Sequence, residues 1–292
     1  TKAPLKPADV ERARRALDRA GAQADLPVWL SPDEACDIHF EGVPAEALDS
    51  VRGELRGKPF DVNVVPRDYR RKRLLLADMD STLIEQECID ELAAEIGLKP
   101  DVAAITERAM RGEISFEPAL RERVGLFKGM SADTAAKLLA ERITITPGAK
   151  VLVATMRAFG AYAALVSGGF TVFAEPLGRQ IGFDEHRANT LLAEGGAFTG
   201  AVAEPILGEA AKEEALLELT AKLKLDPRET LAIGDGANDL GMIRLAGLGV
   251  AYRAKPAVRA EAPAALDHAN LTGVLFLQGY RREEFVLNPT AG

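Results

Sequence analysis

Short apolar runs that end in polar residues recur along the middle and the carboxyl-terminal part of this chain. Continuous runs of this length are typical of strands buried on both faces of a parallel sheet. Apolar residues at helical spacing lie between two of the runs and after the second one, which predicts an α/β core. The predicted strands are 74–77, 161–166, 230–233 and 248–252, and the predicted helices are 151–159 and 170–177.

The segment 83–142 has a different pattern. It is dense in Ala, Glu, Leu and Arg, its apolar residues recur at helical spacing, and it contains no β-rich run. It follows the first predicted strand directly, so it predicts a small helical cap inserted into the core. A cap above the end of a sheet can exclude water and select a substrate.

Residues 1–66 are predicted to form a separate small α+β domain. The segments 8–20 and 44–55 have helical spacing, and 35–40 and 60–65 resemble strands, which together predict a βαβ-type unit. A run of five basic residues within 67–73 follows. We interpret that run as an exposed linker without a function of its own, because the whole chain is acidic.

Composition and charge exclude several classes of function. The formal net charge is −8 and the sequence pI is about 5.2, which argues against a nucleic-acid partner. No apolar run approaches the ~18 residues that a membrane-spanning helix needs, so no membrane partner is expected. Cys36 and Cys88 lack CxxC spacing. We expect two small buried thiols in a reduced, cytoplasmic setting.

Two carboxylates directly follow the first predicted strand. Asp78 and Asp80 would lie at its carboxyl end, where open α/β sheets bind their ligands. One carboxylate can attack phosphorus, and the other can act as acid and base. Both offer the oxygen ligands that Mg²⁺ prefers. Taken alone, the pattern also fits a turn in which an aspartate caps the next helix.

Polar residues follow two further strands. Ser167 can offer a hydroxyl to a phosphate oxygen, and Gly168 a backbone N–H, although a Ser-Gly turn alone fits a turn without a ligand. Asp235 and Asp239 are one helical turn apart and can face one metal site. Asn238 lies between them, where it can contact phosphate.

In their order and separation, four motifs resemble the haloacid-dehalogenase-like phosphohydrolases, and among these the phosphoserine phosphatase family. The motifs are DMDST at 78–82, VSGG at 166–169, AKEEAL at 211–216 and GDGAND at 234–239, and the resemblance spans roughly 73–280.

The resemblance implies a doubly wound parallel-sheet core at 67–86 and 146–292 and a helical cap at 87–145. It also implies an amino-terminal module at 1–66 similar to ACT domains. Regulation or homodimerisation through that module is left open.

The resemblance also implies roles for the charged residues. Lys212 would otherwise be interpreted as a solvated helix residue, but the matching lysine of the family pairs with the nucleophile and the phosphate. Asp78 is expected to attack phosphorus, and Asp80 to protonate the leaving oxygen and then deprotonate water. Mg²⁺ is expected to be held by Asp78, by Asp80 through its backbone carbonyl, and by Asp235, with Asp239 in support.

The implied substrate is O-phospho-L-serine, hydrolysed to L-serine and phosphate in the last step of serine biosynthesis. Glu87 and Arg123 match the family positions that bind the amino and carboxylate groups, and Phe116 matches an apolar wall residue. Without the resemblance, Glu87 and Arg123 would be interpreted as solvated helix residues. Three alternatives stay open: transfer to another alcohol such as homoserine, hydrolysis of another small phosphomonoester, and a binding protein without catalysis.

Overall fold

The computed structural model describes residues 3–111 and 113–287. Residues 1–2, 112 and 288–292 belong to the predicted amino-terminal domain, cap and core respectively, and they lie outside the described residues. The amino-terminal elements are α1 (Pro7–Arg19), β1 (Gln23–Ala24), β2 (Val28–Ser31), β3 (Ala35–Asp37), β4 (Phe40–Glu41) and α2 (Pro44–Glu54).

Helices follow the first long buried strand, as the pattern predicts. Cys88, at the start of the first of these helices, is fully buried as expected, whereas Cys36 in β3 keeps partial exposure. The elements are β5 (Leu74–Ala77), α3 (Cys88–Glu95), α4 (Lys99–Met110), α5 (Phe116–Gly125) and α6 (Thr134–Glu141).

The rest of the chain alternates helices with strands. None of the helices in the described ranges combines the length and apolar character needed to cross a bilayer. The elements are α7 (Ala149–Ala158), β6 (Tyr162–Phe170), α8 (Thr171–Ile181), β7 (Glu185–Asn189), β8 (Leu191–Glu194), β9 (Ala197–Val202), α9 (Ala210–Lys222), β10 (Thr230–Gly234), α10 (Leu240–Leu245), β11 (Leu248–Tyr252), α11 (Pro256–Glu261), β12 (Ala264–Leu266) and α12 (Gly273–Leu277); short 3₁₀ turns span Pro227–Glu229, Ala237–Asp239 and Arg282–Glu284.

The core is a six-stranded parallel sheet in the order β12-β11-β10-β5-β6-β7. Its central strand β5 alternates its side chains between two apolar layers: Leu74 and Leu76 pack with α9 and α10, whereas Leu75 and Ala77 pack with α7, α8 and α12. The predicted doubly wound α/β core with helices on both faces is therefore confirmed.

The β8–β9 hairpin joins the core to the helical segment between β5 and α7. Phe198 in β9 accepts a hydrogen bond from Gly129 N at 2.8 Å and donates one to Met130 O at 2.8 Å. Ala132 N donates to Gly196 O at 2.9 Å. The chain between α5 and α6 thus adds to the hairpin as a third strand would, and the helices have a second attachment to the core.

The strand predicted at 60–65 does not form, so the predicted βαβ unit was wrong. β1 pairs with β4 and β2 with β3, in two small antiparallel sheets. Asp61 accepts backbone hydrogen bonds from residues 267–269, and Asn63 exchanges two with Ala265. The side chains of this segment, rather than its backbone, therefore dock it beside β12.

The basic run before β5 is only partly the exposed linker that we expected: Arg67, Arg71 and Arg73 are exposed, whereas Arg70 and Lys72 are not. Arg70 forms a double ion pair with Asp37 at 2.7 and 2.9 Å, and Lys72 is buried with its Nζ 2.6 Å from Arg228 O. Burial lowers the pKa of Lys72 to about 8. These side chains bind the amino-terminal region and the loop before β10 to the start of β5.

Candidate active site

Asp78 lies at the carboxyl end of the most buried strand of the sheet. All four residues of β5 are inaccessible to solvent, and Asp78 itself is only 6% exposed. Its backbone N–H donates to Ile233 O at 3.0 Å, which holds the end of β5 against the end of β10. The strand pairing therefore fixes the position from which this carboxylate can act.

Lys212 points from α9 into the same end of the sheet and is buried. Its Nζ lies 2.6 Å from Asp78 Oδ1 and 2.5 Å from Asp239 Oδ1. Burial lowers the pKa of Lys212, but the two carboxylates raise it by more, so its pKa lies above the ordinary value. The ammonium group remains charged beside Asp78.

Asp239 is fully buried and both of its oxygens have partners within the protein. Oδ1 binds Lys212, and Oδ2 accepts from the backbone N–H groups of Asp235 at 3.1 Å and Gly236 at 3.0 Å. A Cβ on Gly234 would lie 2.3 Å from this carboxylate, so only glycine leaves room for it. Asp239 thus orients Lys212 and the loop that carries Asp235.

Three carboxylates form a group that fits a divalent cation. One oxygen each from Asp78, Asp235 and Asp239 lies within 4.8 Å of the other two. Burial, and then the charge of Asp239, raises the pKa of Asp78 above its ordinary value and that of Asp235 to about 6. A hard cation would offset this crowding of negative charge. Thr82 Oγ1 donates to Asp235 Oδ1 at 3.2 Å and orients it.

The Asp80 carboxylate is not part of that group of three. Its Oδ1 accepts from Cys88 N at 3.2 Å, at the start of α3. Burial, and then the charge of Glu87, raises the pKa of Asp80 to about 7. A carboxyl group that titrates near neutrality can both donate and accept a proton.

Ser167 and Asp80 approach each other across Gly169. A Cβ on Gly169 would lie 3.0 Å from Asp80 Oδ2 and 3.1 Å from Ser167 Oγ. Ser167 is buried, and its Oγ accepts from Gly169 N at 2.9 Å. The absence of a side chain at this position therefore lets the hydroxyl and the carboxyl share one small space.

Phe116, the first residue of α5, lies against two glycines of the core, Gly168 and Gly208. A Cβ on either Gly168 or Gly208 would lie 3.5 Å from its ring. Arg123, two turns further along α5, is half-buried, with Nε 3.2 Å from Ala119 O. Among the described residues no carboxylate lies within ion-pair distance of it. Burial lowers its pKa, against the charges of Asp90 and Glu87.

Glu87 and Asn238 are exposed members of the predicted site. Glu87 immediately precedes α3, and its Oε1 accepts from Ser81 Oγ at 2.6 Å. The amide oxygen of Asn238 lies over Gly236, 2.2 Å from where a Cβ would be. In the described part of the chain, Asn238 makes no side-chain hydrogen bond to the other site residues.

Sequence reasoning missed the parts of Thr82 and Gly169 in this arrangement. Thr82 has a sequence signal, because it closes the DMDST motif whose carboxylates we did interpret. Gly169 is part of the VSGG motif, but the motif does not show why glycine is needed there, because that depends on Asp80 and Ser167 meeting in space.

Comparisons with known proteins agree with this geometry. The family model of the haloacid dehalogenase-like hydrolases matches residues 75–244. A phosphoserine phosphatase of Streptomyces coelicolor is 41% identical over 271 residues, which cover 92% of this chain and 65% of that protein. Phosphoserine phosphatase SerB2 of Mycobacterium tuberculosis is 43% identical over 227 residues, which cover 76% of this chain and 55% of that protein.

A solved structure extends the similarity to 96% of this chain. The crystal structure of a probable phosphoserine phosphatase from Vibrio cholerae superposes with a TM-score of 0.80 at 34% identity, covering 96% of this chain and 85% of that one. This chain spans less than two thirds of the length of the two bacterial relatives above, at 65% and 55%.

Proposed function

The chain belongs to the haloacid dehalogenase-like hydrolases, and from this premise we propose that it hydrolyses O-phospho-L-serine to L-serine and phosphate. The reaction would be the last step of serine biosynthesis. The observation that supports this best is a contact between α5 and the carboxyl end of β6. There the Phe116 ring lies against Gly168, next to Ser167. A residue of the helical segment and the residues suited to phosphate thus border one space.

In this proposal the chain has three parts. Residues 67–86 and 146–292 form the catalytic core, 87–145 form the cap, and 1–66 form an amino-terminal domain. The enzyme works in the cytoplasm, and the amino-terminal domain supports a homodimer. The native mass of the purified protein tests the dimer.

The metal is proposed to be Mg²⁺. Asp78 and Asp235 would hold it, with the backbone carbonyl of Asp80 and with Asp239 in support, because their crowded oxygens suit a small hard cation. When bound, the ion supplies positive charge that offsets the charge developing on the phosphoryl oxygens. Ca²⁺ prefers more ligands at longer distances and should not support turnover.

The chemistry is two displacements at phosphorus. Asp78 attacks the phosphoryl group and becomes an aspartyl-phosphate, while Asp80 gives a proton to the departing serine oxygen. Asp80 then takes a proton from the water that cleaves the aspartyl-phosphate. The pKa of Asp80 near 7 suits both proton transfers.

Cationic and hydrogen-bonding groups hold the phosphate during both steps. Lys212 balances the charge of Asp78 through direct contact with its carboxylate. The Ser167 hydroxyl, the Gly168 backbone and the Asn238 amide bind the phosphoryl oxygens. Because Lys212 already contacts Asp78, little reorganisation is needed when the dianion arrives.

The serine part of the substrate is proposed to bind between α3 and α5. Arg123 has no competing carboxylate within ion-pair distance in the described ranges, so its planar fork is available for the α-carboxylate. Glu87 binds the α-ammonium, and Phe116 packs against the side-chain methylene.

A panel of small phosphomonoesters tests the proposal. Phosphate release with Mg²⁺ should be fastest from O-phospho-L-serine, slower from aryl and glycerol phosphates, and absent with Ca²⁺. Product analysis with added homoserine separates hydrolysis from transfer to an alcohol. Equal rates across the panel would contradict the proposed substrate, and activity with Ca²⁺ equal to that with Mg²⁺ would contradict the proposed metal.

A further inference from the structure

The phosphate end of β6 is irregular where it pairs with β7. Val166 pairs with Arg187 and Phe170 pairs with Asn189, so three residues of β6 lie opposite a single residue of β7. These three are Ser167, Gly168 and Gly169, which bulge out of the ladder. Regular strand pairing alone therefore does not determine the position of this tripeptide.

The side chain of Asn189 meets the bulge from the neighbouring strand. It is 2% exposed, and its Nδ2 donates to Gly168 O at 2.9 Å and to Leu207 O at 3.1 Å. Its Oδ1 accepts from Leu207 N at 2.8 Å. One buried carboxamide thus connects the tripeptide to the loop that leads into α9, the helix of Lys212.

The same two loops carry the glycines beside Phe116. The carbonyl oxygen of Gly168 accepts a hydrogen bond from Asn189. Gly208 follows Leu207, whose backbone forms two hydrogen bonds with Asn189. A Cβ on either glycine would lie 3.5 Å from the Phe116 ring. The separation of the two loops therefore sets both the phosphate end of the site and the surface on which Phe116 rests.

We infer that Asn189 is a positioning residue for phosphate binding: its carboxamide holds the Ser167–Gly169 bulge at a set distance from the loop before Lys212. This inference rests on the proposed function for its substrate, but not for its geometry. An amide suits the position because it donates to two carbonyl groups and accepts from one N–H group. A carboxylate would instead face two carbonyl oxygens, and an alanine would remove the partner of three backbone groups: Gly168 O, Leu207 O and Leu207 N.

Three variants grade the loss of these bonds: Asn189→Ser keeps one donor, Asn189→Ala keeps none, and Asn189→Asp introduces repulsion. The dissociation constant of inorganic phosphate, measured by calorimetry with Mg²⁺ present, should rise in that order. The increase in the dissociation constant should be at least about 10-fold for Asn189→Asp, as expected for the loss of these hydrogen bonds. KM should rise for O-phospho-L-serine and for p-nitrophenyl phosphate alike, because both place a phosphate in this loop.

Thr190→Ala is the matched control, because Thr190 is the next residue and is exposed. Within the described ranges its side chain forms one hydrogen bond, which it accepts from Thr171. The control variant should leave the phosphate dissociation constant within about 2-fold, the scatter expected of a surface change.

A purely structural role of Asn189 would reduce the folded fraction, and thus the apparent kcat, without changing KM or phosphate affinity. Phosphate dissociation constants within 2-fold of wild type in the folded variants would therefore overturn the inference. If Asn189→Asp and Asn189→Ala do not fold, Asn189→Ser decides by the same measure. A wild-type protein that binds phosphate but releases none from O-phospho-L-serine would overturn the proposed function and leave this comparison intact.

Discussion

The carboxylate end of the sheet and the cap side of the site are built in opposite ways. Asp78, Lys212 and Asp239 are buried and bonded to one another at 2.5 and 2.6 Å. On the cap side, Glu87 is exposed and Arg123 is half-buried. Among the residues that the structure describes, Glu87 accepts from the Ser81 hydroxyl, and Arg123 binds two uncharged oxygens, Ala119 O and Thr106 Oγ1. The charged groups at the end of the sheet are therefore paired with one another. In the described part of the chain, the two charged groups on the cap side have no partner of opposite charge within ion-pair distance.

The difference follows from what each group has to do. Charges that stabilise a reaction act most strongly when they are fixed in place and shielded from water before the substrate arrives. Charges that recognise a substrate must instead remain available to it, since a strong internal partner would compete. We therefore expect changes at the carboxylate end to affect every phosphate ester, and changes on the cap side to affect mainly O-phospho-L-serine.

The largest effect should come from Asp78→Asn. An amide is a poor nucleophile at phosphorus, so kcat should fall by about 10⁴-fold or more for every ester, while the circular dichroism spectrum remains that of the wild type. Asp101→Asn, an exposed change of the same kind in α4, is the control and should be silent. Near-normal rates in Asp78→Asn would contradict the covalent mechanism. Inversion of configuration at phosphorus in an isotopically chiral phosphate ester would also contradict it, because two displacements at phosphorus give net retention.

The next effect is on stability, as a function of pH and metal. The folded-state pKa values of about 6 for Asp235 and about 7 for Asp80 lie above the ~4 expected in the unfolded chain. Folding therefore favours the protonated forms of these two carboxyls, so the stability that they contribute to the metal-free protein is lost as pH rises from about 4 to 7. The pKa shift of Asp235 alone corresponds to a loss of roughly 3 kcal/mol in the free energy of unfolding over this pH range.

Urea unfolding at several pH values, with EDTA and then with Mg²⁺, measures this loss. Mg²⁺ should flatten the decline, because it binds the ionised carboxyls of the folded protein. Asp235→Asn should flatten part of the decline without metal. An identical pH dependence in wild type and Asp235→Asn without metal would mean that the crowding of the carboxylates is not costly.

A smaller and selective effect is expected on the cap side. Glu87→Gln and Arg123→Ala each remove a charge-assisted hydrogen bond to the substrate, on the order of 1.5–3 kcal/mol. Each should lower kcat/KM for O-phospho-L-serine by roughly 10- to 100-fold and barely change that for p-nitrophenyl phosphate. Glu117→Gln, exposed on the same helix as Arg123, is the control. Equal losses on both esters would remove the distinction between the two regions.

The smallest effect should come from an exposed ion pair between α5 and the loop after β9. Arg121 in α5 contacts Glu204, which follows β9, at 2.5 Å, and both side chains are exposed. An exposed pair contributes at most about 1 kcal/mol, so Arg121→Ala should raise KM for O-phospho-L-serine less than about 5-fold. The exchange Arg121→Glu with Glu204→Arg should restore it. A larger loss that the exchange does not repair would assign Arg121 a direct contact with substrate.

The sequence by itself predicted four of the six strands of the sheet, β5, β6, β10 and β11, and the edge that carries the polar residues, whereas β7 and β12 were not predicted. Apolar runs such as 74–77 and 230–233 were long enough to require burial on both faces, and the polar residues directly after them had to share one edge, because parallel strands end on the same side. Asp78 and Asp235 were therefore predictable as neighbours, although they are far apart in the chain.

Only the tertiary structure decided which partners the remaining side chains would have. A helical lysine such as Lys212 is compatible with solvent or with a buried carboxylate, and the packing of α9 on the sheet made the choice. The segment 60–65 has strand-like composition. In the folded protein, however, the side chains of Asp61 and Asn63 bind backbone groups in and after β12, and the segment does not form a strand.

Asn189 shows the same limit most clearly. It is the last residue of a short strand. Its role depends on hydrogen bonds to Gly168 in β6 and to Leu207 in the loop before α9. Local sequence encodes propensity and burial, because these depend on near neighbours along the chain. Hydrogen-bond partners of buried polar groups depend on which distant backbone groups lack one, and that is known only once the whole chain has packed.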